Sequence, residues 1–202
     1  MTLWRGKYPL ILASQSRARQ MLLANAGIDC EIVAAEIDER AVQQASGLSA
    51  PGDIAALLAR QKALWVSSRL SDQYVIGADQ TLALGPRLFN KPAGRAQGAE
   101  QLRALAGHRH ELHSAVAVAR EGKILFEHVA VAGMTMRQLD ETEIDDYLDT
   151  AGQAATSSVG AYQLEGLGVH LFERIEGDHF TILGLPLLPL LAFLRSKGLL
   201  GL

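Results

Sequence analysis

The sequence predicts an α/β fold with a mixed sheet flanked by helices. In the first half of the chain, short apolar runs alternate with helical patterns, which is typical of parallel strands joined by helices. In the middle, two long strand patterns over 112–119 and 124–136 are separated by the turn Arg120-Glu121-Gly122, which predicts a β-hairpin. The 202 residues, of which 49% are hydrophobic, suit one large domain or a domain with a modest lobe.

The first predicted strand ends in a junction suited to binding phosphate. The apolar run over 8–13 stops at Ser14-Gln15-Ser16-Arg17-Ala18-Arg19, and a helical pattern follows until Gly27. A helix N-terminus attracts anions through its unpaired N–H groups, and arginine adds bidentate donors for phosphate oxygens. The alternative, that Ser16 is only an N-cap and that Arg17 and Arg19 are solvated, stays open from this stretch alone.

The later elements follow from the same periodicities. Asp53 is a candidate cap for a helix whose apolar stripe includes Ile54, Leu58 and Trp65. Besides the hairpin, the predicted elements are a strand over 28–34, a helix over 53–70, a strand over 74–77, a helix over 93–106, an acidic helix over 140–148, a polar loop over 152–158, a strand over 169–175 and a terminal helix opened by Pro186.

The composition argues against several classes of function. The net charge of −3 and the lack of a basic stripe argue against nucleic-acid binding. Cys30 is the only cysteine, which excludes an internal disulfide and suits a reducing compartment. His110 and His113 would face opposite sides of one strand, so we expect structural roles for both. The run before Ser14 is too short for a signal peptide, and prolines break the apolar stretch over 182–194. We therefore expect a cytoplasmic protein with no membrane partner.

Two acidic regions are candidates for a metal site. Asp79 closes the apolar run over 75–78, and ligands of α/β sheets bind at the carboxyl ends of strands. Glu36, Asp38 and Glu39 form an acidic group after the second predicted strand. A turn aspartate and a solvated loop are the alternatives for these residues. Two carboxylates in one cleft would bind Mg²⁺, which also takes substrate phosphates as ligands.

Two lysines could complete such a site. Lys62 lies near the edge of the apolar face of its predicted helix, and Lys91 stands before a proline on a non-helical segment. For either lysine alone, a solvated ammonium group is the alternative. If both lysines and Arg19 met the candidate carboxylates, they would form a clamp for phosphate and metal.

The motifs match a known family in order along the chain. The sequence resembles the Maf-type nucleoside triphosphate pyrophosphatases, and the number and order of the matching pieces make the resemblance specific. These pieces are Leu12-Ala13-Ser14-Gln15-Ser16 with Arg19 and Leu22-Leu23, Ile37-Asp38-Glu39, Lys62-Ala63, Val75-Ile76-Gly77-Ala78-Asp79, Asn90-Lys91-Pro92, Gly107 with His110, Gly160-Ala161-Tyr162 with Glu165-Gly166, and Gly184-Leu185-Pro186.

The resemblance implies a Maf/ITPase-like fold, with an elongated mixed sheet flanked by helices, two lobes and a central cleft, in a single domain over 1–202. It also implies a hydrolase that depends on Mg²⁺ or Mn²⁺ and cleaves a nucleoside triphosphate between its α and β phosphates. Family members are often homodimers. By position, Asp79 resembles the proton acceptor and, with Glu39, a metal ligand. The phosphate-binding set implied by the resemblance is Ser14, Arg19, Lys62 and Lys91.

Two further positions point to a guanine nucleotide. Family members that act on dTTP and UTP tend to carry Thr and Gln where this chain has Gln80 and Glu165. These two residues, with the stretch 171–177, resemble the subgroup that hydrolyses 7-methyl-GTP. A carboxylate accepts hydrogen bonds from N1–H and the N2 amino group of guanine, and methylation at N7 adds an attractive positive charge. Family members usually carry a large residue where this chain has Ala18, in a region that borders the base pocket of the family, so Ala18 is a third candidate for base selection.

Two other functions stay open at this stage. One is a dTTP and UTP pyrophosphatase of the same family, and the other is a nucleotide-binding regulator of septum formation without turnover. A carboxylate beside phosphates gives a pure binding protein little advantage unless a metal is present, and this favours turnover. A dinucleotide-dependent oxidoreductase is disfavoured because no G-x-G-x-x-G sequence follows the first strand.

Overall fold

The computed structural model describes residues 3–70 and 72–201. The chain divides into two compact units. The first unit comprises residues Met1–Gln80, Ser114–Ala130 and His179–Leu202, and the second comprises Thr81–His113 and Val131–Asp178. A single domain over 1–202 stays a prediction, and residues 1, 2, 71 and 202 of that range lie outside the described residues.

Strands and helices alternate in the first half of the chain, as the sequence predicts. In chain order the elements are β1 (Leu10–Leu12), α1 (Arg17–Asn25), β2 (Cys30–Ile32), α2 (Glu39–Ser46), α3 (Pro51–Ser67), β3 (Val75–Leu84), β4 (Arg87–Phe89), α4 (Arg95–Leu105), β5 (Arg109–Arg120), β6 (Lys123–Met136), α5 (Glu141–Ala151), α6 (Gln153–Thr156), two 3₁₀ helices (Val159–Ala161 and Leu167–Leu171), β7 (Phe172–Glu176), α7 (His179–Ile182) and α8 (Leu187–Ser196).

The strands form one mixed sheet, which confirms the predicted α/β class. The strand order is β2-β1-β3-β5-β6-β7, and β4 pairs with β3. β1 is parallel to β2 and to β3, with Ile11 opposite Val75. β4 is antiparallel to β3, and β7 is antiparallel to β6. None of the helices within residues 3–70 and 72–201 combines the length and the apolar character that a membrane span requires.

The hairpin between β5 and β6 forms at the predicted turn. Glu121 and Gly122 have φ angles of 53° and 69°. Positive φ at both central residues is typical of a type I′ turn, whose twist matches that of the two strands. Glycine adopts this conformation without strain, and the sequence therefore indicates the turn correctly.

In the first unit, apolar side chains bury both faces of β3. Ile76 and Ala78 belong to a core that also contains residues of α1 and α8. Val75, on the opposite face, packs in a cluster with Val66 of α3. This alternation follows from the pleat of a strand, in which successive side chains point to opposite faces.

β3 and α3 come into close contact at Gly77. A Cβ atom at this position would lie 2.6 Å from the backbone nitrogen of Ala63, and closer still to the carbonyl oxygen of Ala59. The facing residues of α3 include alanines that are fully buried, so the helix backbone lies directly against the strand. Glycine in a strand often marks such a close backbone approach.

The prediction that the third strand ends before Asp79 is wrong. β3 continues through Asp79 and Gln80 to Leu84. Beyond Asp79 the strand has a partner that the sequence analysis missed, because β4 pairs with it and places Leu82 opposite Phe89. Asp79 therefore lies within a long strand and not at its carboxyl end.

Two helix starts also differ from the predictions. α3 begins at Pro51, and its N-cap Ala50 makes no side-chain hydrogen bond, so Asp53 lies in the first turn and is not the cap.

The helix α2 was not predicted from the sequence. Asp38 is its N-cap and accepts a hydrogen bond of 3.0 Å from the backbone nitrogen of Ala41. Asp38 and Glu39 therefore form the start of a helix, whereas Glu36 lies in an exposed, non-helical segment before it.

Near the C-terminus, one predicted strand is shorter than expected. Residues Leu167–Leu171 form a 3₁₀ helix, and β7 starts at Phe172 instead of residue 169. The predicted polar loop over 152–158 contains the short helix α6. The terminal helix is confirmed as α8, with Pro186 at its N-cap.

In the second unit, His110 is buried in an aromatic cluster. It is 1% exposed, and its ring lies 5.7 Å from the ring of Tyr162 and 5.9 Å from that of Phe172. Nε2 of His110 and the hydroxyl of Tyr162 share a hydrogen bond of 2.8 Å. Burial lowers the pKa of His110 from 6.5 to about 4. The structural role expected for His110 fits this environment.

We predict that alanine at Gly77 will destabilise the protein. The added Cβ would overlap the backbone of α3, which must move away from the strand. We expect Gly77→Ala to lower the free energy of unfolding by about 3 kcal/mol in urea titrations at pH 7. Gly94→Ala is the control, because no atom lies within 4 Å of its added Cβ. Equal stability of the two variants would contradict the close approach.

We also predict that His110 makes stability depend on pH. Because its pKa is lower in the folded chain, the unfolded chain binds the proton first as the pH falls from about 7 to about 4. The free energy of unfolding of the wild type, minus that of His110→Leu, should fall by about 3 kcal/mol across this range. Urea titrations at several pH values measure this difference, and a constant difference would contradict the prediction.

Candidate active site

The centre of the candidate site is an ammonium group shared by two carboxylates. Nζ of Lys62 lies 2.6 Å from Oδ1 of Asp79 and 2.8 Å from Oε1 of Glu39. Lys62 is 8% exposed and Asp79 is 7% exposed, whereas about half of the Glu39 side chain is exposed. The alternatives of a solvated lysine and a turn aspartate are therefore excluded.

The close contact at Gly77 brings Lys62 to Asp79. Gly77 and Asp79 lie two residues apart on β3, so both face α3. Lys62 precedes Ala63, the residue whose backbone lies against Gly77. Glu39 is the first residue of α2 and reaches the same ammonium from a second helix. Three elements of the first unit thus position the three charges.

The environment of Asp79 affects its proton affinity. Burial raises the pKa of the Asp79 carboxyl above its ordinary value, and the positive charges of Lys62 and Arg19 act against this rise. The negative charge of Glu39 also raises the pKa of Asp79, because a nearby negative charge disfavours ionisation of a second carboxyl group. A carboxylate with a raised pKa is a stronger base, provided that it stays ionised at the working pH.

Arg19 is buried and held by backbone carbonyl groups. Its Nε donates to the carbonyl oxygen of Gly184 at 2.7 Å, and its Nη1 donates to that of Ala78 at 2.8 Å. The residue is 8% exposed, so the alternative of a solvated arginine is excluded for Arg19. Arg17 is exposed. Because arginine keeps its charge in proteins, the guanidinium places a fixed positive charge beside the residue that precedes Asp79.

The hydroxyl of Ser14 joins Arg19 to the start of α1. Its Oγ accepts hydrogen bonds from Nη1 of Arg19 at 3.0 Å and from the backbone nitrogen of Ser16 at 3.3 Å. Two accepted bonds use both lone pairs of a hydroxyl, so its hydrogen is left to donate. Ser16 is the N-cap of α1, which is the role that the sequence analysis gave as the alternative to phosphate binding. Its side chain accepts a hydrogen bond from the backbone nitrogen of Arg19.

Two of the residues predicted to select the base also lie in the first unit. The side-chain nitrogen of Gln80 donates to Oγ of Ser114 and to the carbonyl oxygens of Thr181 and Ile182. Ala18 is partly buried and packs against the core of this unit. Base selection by these residues stays a prediction.

Lys91 and Glu165 lie in the second unit. Lys91 follows β4 and lines an open pocket of about 190 Å³ together with Gln101. The Gln101 side chain donates to the carbonyl of Asn90 at 2.8 Å and accepts from the backbone nitrogen of Gly160 at 3.0 Å. It thereby joins the segment of Lys91 to the loop that leads to Glu165. Contacts of Lys91 and Glu165 with a nucleotide stay predictions.

The carboxylates fit a divalent metal ion. Glu39 and Asp79 each have an oxygen within 2.8 Å of one cationic group, so they converge on a common point. In the described part of the chain, no group of three or more His, Cys, Asp or Glu side chains could hold a metal ion. Two carboxylates with substrate phosphates are a usual ligand set for Mg²⁺, and this donor set fits that ion.

The sequence analysis missed several residues that support the site. Ser114 and Thr181 are fully buried and bond to the Gln80 side chain or to each other. Neither belongs to a motif, and no local pattern marks them. Gly184 was noted only as part of a matching motif, although its carbonyl holds Arg19.

Comparisons with known proteins match almost the whole chain. A family model described as Maf-like protein matches residues 9–197. A protein of Bradyrhizobium diazoefficiens named "Nucleoside triphosphate pyrophosphatase" is 71% identical over 201 residues, with 100% of each chain covered. One of the same name from Rhodopseudomonas palustris is 69% identical over 201 residues, with the same coverage. A Mesorhizobium japonicum protein named "7-methyl-GTP pyrophosphatase" is 53% identical over 192 residues, covering 94% of this chain and 96% of its own.

Proposed function

The chain belongs to the Maf family, and on this premise we propose that it is a nucleoside triphosphate pyrophosphatase. It would hydrolyse the bond between the α and β phosphates and release a nucleoside monophosphate and pyrophosphate. The observation that carries the proposal is the meeting of Lys62, Asp79 and Glu39 beside the buried guanidinium of Arg19. Relatives named "Nucleoside triphosphate pyrophosphatase", which match this chain over 201 residues, support it.

Asp79 would accept the proton of the attacking water. Water attacks the α phosphorus, its proton passes to the Asp79 carboxylate, and the bond to the bridging oxygen breaks so that pyrophosphate leaves. Burial, which raises the pKa of Asp79, supports this role because a more basic carboxylate takes a proton more readily. The strand holds the carboxylate in a fixed position, which lowers the entropy cost of reaching the reactive geometry.

The positive charges would stabilise the phosphate groups. Arg19 is fixed by hydrogen bonds to backbone carbonyls before substrate arrives, so little reorganisation of this charge is needed when negative charge develops. Ser14 has a hydrogen to donate to a phosphate oxygen. Lys91 would be a fourth phosphate ligand, as the resemblance to the family implies.

Glu39 and Asp79 would hold the divalent ion, Mg²⁺ or Mn²⁺. When bound, such an ion supplies positive charge to the phosphoryl oxygens and orients the triphosphate. Lys62 contacts both carboxylates and would pass from them to a phosphate oxygen when the triphosphate binds. The shared position of the ammonium group supports this exchange.

For the base, we propose 7-methyl-GTP or a related guanine nucleotide. Glu165 would accept hydrogen bonds from N1–H and the N2 amino group, and the positive charge of a 7-methylated base would strengthen the contact. A 53% identical relative named "7-methyl-GTP pyrophosphatase" supports this choice. A homodimer and a cytoplasmic location stay predictions from the sequence.

We predict that Asp79→Asn removes most of the activity. The amide keeps the shape of the side chain and can accept a bond from Lys62, but it cannot take a proton from water. We expect kcat for pyrophosphate release to fall by about 100-fold or more, with circular dichroism unchanged. Asp146→Asn, an exposed change on α5, is the control and should keep full activity. Full activity of Asp79→Asn would exclude the proposed base.

We predict that Glu165→Gln weakens the preference for 7-methyl-GTP. The substitution removes the charge and one acceptor, so the ratio of kcat/KM for 7-methyl-GTP to that for UTP should fall by about tenfold. Pyrophosphate release from 7-methyl-GTP, GTP, UTP and dTTP measures this ratio. Glu31→Gln, an exposed change on β2, should leave it unchanged. A wild-type preference for UTP or dTTP would contradict the guanine assignment.

A further inference from the structure

The side chain of Gln80 is hydrogen-bonded to the backbone at the end of α7. Its nitrogen Nε2 lies 3.1 Å from the carbonyl oxygen of Thr181, 3.0 Å from that of Ile182 and 2.9 Å from Oγ of Ser114. Carbonyl oxygens only accept hydrogen bonds, so the amide nitrogen and not the amide oxygen must face them. Three oxygens share two hydrogens, and no donor of this amide is left for another ligand.

The carbonyl oxygen of Thr181 is the centre of this network. It accepts hydrogen bonds from Nε2 of Gln80, from Oγ of Ser114 at 2.7 Å and from the backbone nitrogen of Gly184 at 3.1 Å. Ser114 and Thr181 are both 0% exposed. Because water cannot replace the lost partners in a buried network, each missing donor would loosen the chain over 181–184.

Gly184 connects the Thr181 carbonyl to Arg19, because its backbone nitrogen bonds to the first and its carbonyl oxygen to the second. Its carbonyl oxygen accepts the bond from Nε of Arg19, and its backbone has a φ of 87°. A Cβ on Gly184 would lie 3.3 Å from Nε and Nη2 of Arg19, so the turn lies tightly against the guanidinium. On its other side, Arg19 bonds to the carbonyl of Ala78. The guanidinium is thus held between β3 and the turn after α7.

From these contacts we propose that Gln80 is a positioning residue for Arg19. With Ser114 it fixes the Thr181 carbonyl, the backbone of Gly184 is fixed in turn, and the Gly184 carbonyl orients the guanidinium toward the triphosphate. Gln80 therefore acts on the phosphate end of the substrate, and this role replaces the base selection that the sequence predicts for Gln80. This inference rests on the proposed function, because it assigns Arg19 to the triphosphate of that reaction.

The first test is Gln80→Met, which keeps the length of the side chain but has no donor. We expect kcat/KM to fall about tenfold, by the same factor for 7-methyl-GTP, GTP, UTP and dTTP. The inhibition constant of pyrophosphate should rise by a similar factor, whereas that of the nucleoside monophosphate should not change. Gln44→Met, an exposed change on α2, is the matched control and should change none of these values.

The second test asks whether the effect passes through Arg19. Gln80→Met in an Arg19→Met background should weaken pyrophosphate inhibition no further than Arg19→Met alone. Ser114→Ala removes another donor to the same carbonyl and should change pyrophosphate inhibition in the same direction as Gln80→Met. This variant tests the network independently if Gln80→Met does not fold.

Three results would overturn the inference. They are a changed order of base preference with unchanged pyrophosphate inhibition, unchanged kinetics of both Gln80→Met and Ser114→Ala, and additive effects of the Gln80 and Arg19 substitutions. Calorimetric binding of pyrophosphate in Mg²⁺ separates this inference from the proposed function. If the wild type releases no pyrophosphate from any triphosphate, the proposed function fails, yet weaker pyrophosphate binding by Gln80→Met would still support the role of Gln80.

Discussion

The candidate site depends on one buried ammonium group that two carboxylates share. A lysine and an aspartate that are both more than nine-tenths buried are costly to remove from water, and the cost is offset only when each meets an opposite charge at short range. Lys62 and Asp79 meet this condition because a glycine lets α3 lie directly against β3. The carboxylate of Glu39 is the second partner of the Lys62 ammonium group. Because Glu39 is more exposed than Asp79, it can more readily replace Lys62 with another cation.

Beside this pair, the positive charge of Arg19 is held in place before any substrate is bound. Backbone carbonyls of β3 and of the turn after α7 hold Arg19, and the hydroxyl of Ser14 bonds to its Nη1. Charges that are already oriented stabilise a developing anion without paying for reorganisation, which is the main source of rate enhancement in many enzymes. A hydrolase of triphosphates needs this property, because negative charge grows on both sides of the bond that breaks.

Much of this site could be predicted from the sequence, although its supports could not. The strand-to-helix junction at Ser14 and Arg19, the carboxylate of Asp79 and Lys62 are visible as local patterns, and the structure brings them together in the first unit. The extension of β3 beyond Asp79 was missed because it depends on pairing with β4, a strand of three residues. The bond from Arg19 to Gly184 spans 165 residues, and no periodicity reports a contact of that range. For the same reason, Gln80 could be interpreted from the sequence only as a residue near the base.

The identity of the products formed from a nucleoside triphosphate tests the account most directly. Phosphorus NMR of 7-methyl-GTP incubated with the protein and Mg²⁺ should show the monophosphate and pyrophosphate appearing in equal amounts, because the fixed charges are proposed to act on the bond between the α and β phosphates. A diphosphate with orthophosphate, or an unchanged triphosphate after incubation with each of the four nucleotides, would contradict it.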